Sequence, residues 1–596
     1  MCRIAGIIQQ GQEISVTENR VKEMCDLLKH GGPDDEGLYS ESSSSLVLGN
    51  RRLSLLDLTA AGHMPMTYAD RYVITYNGEL YNHTGLRSEL TALGHVFRSH
   101  TDTEVILAAF AQWNSQSFVR LKGMFAFALW DKSEKELYLV RDPAGIKPLY
   151  YSMQNGSLVF ASEVRAFNVS GQTYTSHPLW PVMLMAYGHL PEPISTLKEV
   201  LPLQKGCFLH YRPATGQYQL QSFSHYSYSS QVQDAATAEK EVSRLLKKAV
   251  QQQMLADAPV GVFLSGGLDS SIVASLAAQN SPSALNTLSI YFDDDRFSEK
   301  KYQDMVIHQL QCKHSQYLLS KTDFLQSFPQ VMEAMDLPSC DGVNTWFISK
   351  YAQQQGLKAV LSGVGGDELF GGYPSFKRMP IAQLLQQLPD AAISMGKKSR
   401  FRKFSRMAYL QLNGIKGLYL FLRGHFTPCE IAQQLDMDEQ EVWQQLKETP
   451  LFMDVNQLES RDQASWMEFN LFMQNQLLRD ADVMSMANSI EIRVPLLDHD
   501  LIKYTLSIKP SVKYPASLPK QLLINCFKDI LPPAIYNRPK MGFTFPFDDW
   551  LKGSELVKDL LNNDNPASAR SYQAFINGDL KWYQLISLVN IRRRGR

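Results

Sequence analysis

The sequence lacks a substantial charge excess of either sign. Its 596 residues carry 59 Lys+Arg against 60 Asp+Glu, a formal net charge of −1. That balance argues against a protein whose main task is to coat nucleic acid, which needs a basic surplus, and against a highly charged disordered chain. Apolar runs are short. None reaches the roughly 20 residues that a helix needs to cross a bilayer, so no membrane partner is expected. The opening residues, Met1-Cys2-Arg3-Ile4-Ala5-Gly6, lack the basic-then-apolar pattern of a secretory signal. Cysteine is sparse, with seven at positions 2, 25, 207, 312, 340, 429 and 526 and no CxxC pair. This spacing argues against a zinc site and fits a reducing compartment, so a cytoplasmic location is expected.

What is present is ordinary globular composition, 44% hydrophobic and 20% charged, in a chain too long for one domain. The first ~160 residues read as short strands bounded by turn residues. Val73-Ile74-Thr75-Tyr76, Gly123 to Trp130 and Leu137 to Val140 are three of them, and a helix from Thr103 to Trp113 lies between. An antiparallel α+β domain with a sheet-dominated core follows. From Thr237 the pattern changes. Val242, Leu245, Leu246, Ala249 and Val250 mark an amphipathic helix. Val260 to Leu264, Leu285 to Phe292 and Lys358 to Leu361 are buried strands alternating with turns and helices, the signature of a parallel α/β sheet. Beyond about Pro380 the chain reads as mostly helical. The expected division is 2–205, a linker over 206–237, and 238–596. Two basic clusters, Lys397 to Arg406 and Arg592-Arg593-Arg594, read as solvated helix faces in a neutral chain.

Ser265-Gly266-Gly267-Leu268-Asp269-Ser270-Ser271 follows a buried strand and opens a helix. Two glycines let backbone N–H groups approach phosphate oxygens, and the helix N-terminus adds partial positive charge. Ser265 and Ser270 supply hydroxyls, and Asp269 is placed to hold Mg²⁺. The Lys of a GxxxxGKS/T loop is absent, so this is a different kind of phosphate loop. Taken alone, it also fits a capped helix after a Gly turn. Ser362-Gly363-Val364-Gly365-Gly366-Asp367-Glu368 repeats the logic after another strand, with paired carboxylates for a cation. Two such loops can face one crevice at the strand C-termini. Arg538-Pro539-Lys540 adds two cations able to reach a leaving pyrophosphate.

These residues carry a resemblance. SGGLDSS resembles the pyrophosphate loop of the ATP pyrophosphatases. SGVGGDELFGGY, SIEIRVPLLDHD and RPKMGF resemble motifs of the asparagine synthetase family, over about 238–550. The family adenylates a carboxylate with Mg·ATP, and ammonia attacks the adenylate. The resemblance implies that Leu264, Ser265, Gly267, Asp269, Ser270, Ile290, Ser362 and Gly363 contact ATP. It implies that Asp269 and Asp367 bind Mg²⁺, that Lys540 stabilises pyrophosphate, and that Ile490 to Asp498 support the site. Val364 departs from it, because the family often carries Glu there.

Cys2 becomes the first residue if Met1 is removed, which places an amine base a few bonds from a thiol nucleophile. If Met1 stays, glutaminase activity should be missing. Arg52-Leu53-Ser54, Tyr76-Asn77-Gly78-Glu79, Thr101-Asp102 and Arg141 to Tyr150 resemble the glutamine pocket of class II glutamine amidotransferases, over about 2–205. The resemblance implies an αββα fold of the N-terminal-nucleophile type, with Cys2 as nucleophile and an oxyanion hole from Asn77 and Gly78. Arg52 would hold the glutamine carboxylate, Leu53 would line the pocket, and Glu79 and Asp102 would hold the ammonium. His30-Gly31-Gly32-Pro33-Asp34 departs from it, because the family usually has Arg at position 31.

The expected activity is amidation of a carboxylate through an acyl-adenylate, with ATP and Mg²⁺, foremost of aspartate to asparagine. The ammonia would pass inside the protein. The alternative is a paralogue acting on another acid, a uronic acid or a natural-product intermediate, and Val364 is its main support. An RNA-modifying enzyme lacks support in a neutral chain without paired cysteines, and a vestigial scaffold would have decayed motifs. The partners are small molecules (glutamine, ATP, aspartate), with a homodimer as the assembly entertained.

Overall fold

The computed structural model describes residues 2–281, 285–310, 312–389, 391–393, 405–449, 455–515, 517–561 and 566–594. Most of the basic cluster Lys397 to Arg406 lies outside the described residues, as does Met1.

Twelve strands build two antiparallel sheets. They are β1 (Cys2–Ile8), β2 (Asp35–Glu41), β3 (Leu46–Arg52), β4 (Met66–Tyr68), β5 (Tyr72–Leu80), β6 (Gly123–Asp131), β7 (Glu136–Arg141), β8 (Tyr150–Gln154), β9 (Ser157–Ala161), β10 (Leu201–Pro202), β11 (Cys207–Arg212) and β12 (Gln217–Ser222). One sheet runs β10-β8-β9-β1-β3-β2 and the other β12-β11-β7-β6-β5-β4. They face each other across Ile4, Ile8, Leu48, Val73, Ala128, Trp130, Leu139 and Leu209. The outer face of the second sheet packs its Tyr76, Phe125 and Phe127 on the helix Asp102–Trp113. The helix Ile14–Leu27 covers the outer face of the first, with Val21 and Met24 against Ile7 and Val47. All nine residues of β5 are buried, because both faces of that strand are covered. The result is the expected helix–sheet–sheet–helix sandwich.

The second half is a five-stranded parallel sheet in the order β15-β14-β13-β16-β17, from β13 (Val260–Phe263), β14 (Asn286–Tyr291), β15 (Lys313–Leu318), β16 (Ala359–Leu361) and β17 (Glu491–Arg493). The amphipathic helix Ala235–Gln253 buries Val242, Leu245, Leu246, Ala249 and Val250, as the spacing requires. The remainder is largely helical.

Two expectations differ from the structure. Residues 206–237 do not form a plain linker. β11 pairs antiparallel with β7, Phe208 opposite Val140, and β12 pairs with β11, so the sandwich runs on to Ser222. We therefore propose a division after about residue 224. Within the largely helical remainder, the SIEIRVP segment contributes a strand. Its Glu491-Ile492-Arg493 pairs parallel to β16, with Ala359 opposite Glu491 and Leu361 opposite Arg493. The Arg592-Arg593-Arg594 cluster is not simply solvated. Arg594 Nη2 donates to the carbonyls of Met335 and Asp336, both at 2.7 Å, and Arg593 donates to that of Met332. These carbonyls end the helix Lys321–Ala334, where cations are favoured.

Candidate active sites

The first site forms at the end of β1. Cys2 is 5% exposed and lies opposite Arg52 of β3. Its backbone N donates to Asn77 Oδ1 at 3.2 Å, which fixes the amide orientation. Asn77 Nδ2 is buried and has no hydrogen-bond partner, so one donor stays available beside the thiol. A Cβ on Gly78 would lie 2.2 Å from the Met124 carbonyl oxygen, so this register of β5 on β6 needs glycine. Burial pushes the Cys2 thiol up, opposed by the Leu53 backbone N–H and by Arg52.

Arg52 is buried. Its guanidinium donates to the carbonyls of Asp57 at 2.6 Å, Leu56 at 3.2 Å and Thr59 at 3.4 Å, shaping the loop after Leu53-Ser54. Asp102, in the first turn of its helix, accepts from Tyr76 Oη at 2.9 Å and from the Leu80 N–H at 2.8 Å. Glu79 is 5% exposed, and burial drives its carboxyl well up, against the pull of Arg493. Cys2, Arg52, Leu53, Asn77, Gly78, Glu79 and Asp102 thus share one end of the sandwich.

The missing Arg of the His30 loop has a structural answer. A Cβ at Gly31 would lie 2.6 Å from Arg3 Cγ, so the Arg3 side chain occupies that space. Arg3 Nε pairs with Glu163 Oε1 at 2.8 Å, and His30 Nε2 reaches the same oxygen at 2.9 Å. The loop keeps an ion pair supplied from another strand.

The second site sits at the C-terminal ends of β13 and β16. Ser265 Oγ and Ser270 Oγ are 2.9 Å apart, and Gly266 turns at φ +82°. A Cβ on Gly366 would lie 2.5 Å from Asp269 Cγ, and one on Gly363 would lie 2.7 Å from Ser270 N. The glycines therefore let the two loops touch. They wall a cavity of about 490 Å³, lined by Leu264, Ser265, Gly267, Asp269, Ser270, Ile290, Ser362, Gly363, Val364, Asp367 and Lys540 among others. Lys520 Nζ lies 2.8 Å from Asp269 Oδ2 and 2.8 Å from Asp367 Oδ1, and Lys540 Nζ lies 2.6 Å from Asp367 Oδ2. Two hard carboxylates converging on one ammonium are a donor set that also suits Mg²⁺.

Lys520 was not visible in the sequence. It is a single Lys after Pro519, held at φ +58°, and no local pattern marks it. Two expected roles divide between neighbours. Arg538 and Lys540 both line the cavity, but Arg538 Nη2 is taken up by Glu299 Oε1 at 2.5 Å and by the Gly266 carbonyl at 2.9 Å, whereas Lys540 pairs with Asp367. Of the paired carboxylates, Asp367 meets the lysines, whereas Glu368 is buried and accepts from Tyr373 Oη at 2.8 Å. Burial, with Asp367 beside it, pushes the Glu368 carboxyl up to about 7.

The asparagine synthase family profile matches residues 241–579, and a glutamine amidotransferase domain profile matches residues 1–224. The chain is 30% identical over 588 residues to the glutamine-hydrolysing asparagine synthetase 1 of Bacillus subtilis, covering 94% of this chain and 90% of that protein. It is 31% identical over 584 residues to a putative glutamine-hydrolysing asparagine synthetase of Mycobacterium bovis, covering 92% and 87%. It is also 28% identical over 615 residues to an amidase, chyE, of Penicillium rubens, covering 92% and 88%.

Proposed function

The chain belongs to the asparagine synthetase family, whose members use glutamine and ATP to amidate a carboxylate, and from that premise we propose that its acceptor is aspartate. The reaction is then aspartate, glutamine, ATP and water to asparagine, glutamate, AMP and pyrophosphate. The observation that carries this reading is the convergence of Asp269 and Asp367 on one cation, at the wall of a cavity lined by both glycine loops.

In the first domain, Cys2 attacks the glutamine amide. Asn77 Nδ2 and the Gly78 N–H stabilise the developing oxyanion, Arg52 holds the α-carboxylate, Leu53 lines the pocket, and Glu79 with Asp102 holds the ammonium. Water then cleaves the thioester. In the second, Leu264, Ser265, Gly267, Ser270, Ile290, Ser362 and Gly363 seat ATP. Asp269 and Asp367 would hold Mg²⁺, which supplies charge neutralisation of the phosphates. Lys540 steadies the leaving pyrophosphate. Ammonia passes within the protein, since bulk water at neutral pH would convert most of it to ammonium. Among the described residues no helix is long and apolar enough to cross a membrane. A cytoplasmic homodimer is carried in the same reading, the location supported by seven free cysteines.

A second reading keeps the chemistry and changes the acceptor. Val364 lines the cavity where the family often places Glu, and an amidase is among the similar proteins. AMP release with aspartate as the only acceptor separates the two. Aspartate-dependent AMP and asparagine are expected, and their absence would transfer the enzyme to another carboxylic acid.

A further inference from the structure

Glu79 belongs to the first domain, yet its cationic neighbour comes from the second. Arg493, on β17, is fully buried. Its Nε pairs with Glu491 Oε1 at 2.5 Å, and its Nη1 donates to the carbonyls of Gln253 at 2.8 Å and Leu255 at 2.7 Å. Its Nη2 lies 3.4 Å from Glu79 Oε1, within ion-pair range but without a hydrogen bond. Its own carbonyl accepts the N–H of Ser362, in the second nucleotide loop, at 2.8 Å.

The contacts continue on the glutamine side. Two residues past Leu255, the Asp257 N–H donates to the Leu55 carbonyl at 2.9 Å, and Asp257 Oδ2 accepts from the Asp57 N–H at 2.7 Å. Leu55 and Asp57 lie in the loop that Arg52 shapes. The guanidinium of one residue therefore touches the carboxylate beside Cys2 and the segment that props the glutamine loop, while the backbone carbonyl of that residue holds the Ser362 N–H.

We propose that Arg493 is a positioning residue that couples glutamine binding in the first domain to the nucleotide loop of the second. The inference rests on the reading above, in which Glu79 receives the glutamine ammonium. That ammonium and Arg493 Nη2 compete for one buried carboxylate. Bound glutamine relaxes the pull on Nη2. Nε and Nη1 hold the side chain to Glu491 and two carbonyls, so the change passes into β17 and its hydrogen bond to Ser362. The coupling is reciprocal, so nucleotide must change the affinity for glutamine by the same factor.

The test measures the glutamine KM of glutamate release, with and without Mg²⁺ and a non-hydrolysable ATP analogue. The wild type is expected to shift its KM by about fivefold or more. Arg493→Lys keeps the charge but loses the planar fork. It is expected to shrink the shift to within about twofold while ammonia-dependent synthesis persists. An undiminished shift in Arg493→Lys, or no shift in the wild type, overturns the proposal. Should circular dichroism show Arg493→Lys unfolded, the exposed Asp257→Ala decides. A reduced shift supports the coupling, and an unchanged one overturns it. A wild type that releases no glutamate at all defeats the functional reading instead, which keeps the two failures distinct.

Discussion

The two sites of this chain solve opposite problems. Around Cys2 three of the polar groups are already held by protein: Asn77 by the Cys2 backbone, Asp102 by Tyr76 and Leu80, Arg52 by three carbonyls. One buried donor, Asn77 Nδ2, is left over. Around Asp269 the opposite holds. The cavity is wide and its charges are paired among themselves, with Lys520 between two carboxylates and Lys540 against one. On the function proposed above, the first site is organised before its substrate arrives. The second would, on the same reading, exchange its internal ion pairs for substrate contacts, a different use of the same charge-assisted bonds.

Substitutions can break this contrast. The largest effect is expected from Cys2→Ala: glutamine-dependent synthesis falls to background while ammonia-dependent synthesis stays, read as AMP release with each nitrogen source. Loss of both in a folded variant would argue against separate sites. Asp367→Ala is expected to lower AMP formation at least about 100-fold and to leave glutamate release measurable. Retained ATP cleavage would remove Asp367 from its role. Asn77→Ala removes the spare donor and is expected to lower glutaminase kcat by about 10²–10³, with ammonia-dependent synthesis unchanged.

The smallest effect concerns pH. The Glu368 carboxyl lies at about 7 in the folded chain against an ordinary 4.5. A raised pKa contributes stability that is fully present below the unfolded value and is lost as pH rises through the folded one. Glu368→Gln mimics the neutral form at every pH. Its Tm relative to wild type should therefore climb between about pH 4.5 and pH 7. A constant difference across that window would show that Glu368 does not titrate there.

Legibility in the sequence followed the same contrast. The first site was readable because its groups lie in short contiguous motifs on strands, such as Tyr76 to Glu79, whose register puts them at one sheet end. The two glycine loops were readable because each follows an apolar strand. Lys520 was not, since its meaning arises only where three distant segments meet. Glu491-Ile492-Arg493 hid its strand because two charges in three residues do not look buried. They are buried because Arg493 pairs with Glu491 and approaches Glu79 across the domain boundary. The linker expectation failed over 207–222 for a simpler reason. β12 is exposed along its length, so its composition carries little apolar signal, yet its backbone completes a sheet.

The central claim is that one chain takes nitrogen from glutamine and delivers it to an activated carboxylate. The direct measurement supplies glutamine labelled with ¹⁵N in its amide, aspartate and Mg·ATP, in the presence of excess unlabelled ammonium at neutral pH. The account predicts asparagine enriched in ¹⁵N, formed one for one with AMP. AMP formed without ¹⁵N in the amide product, or glutamate released with no AMP, would contradict it.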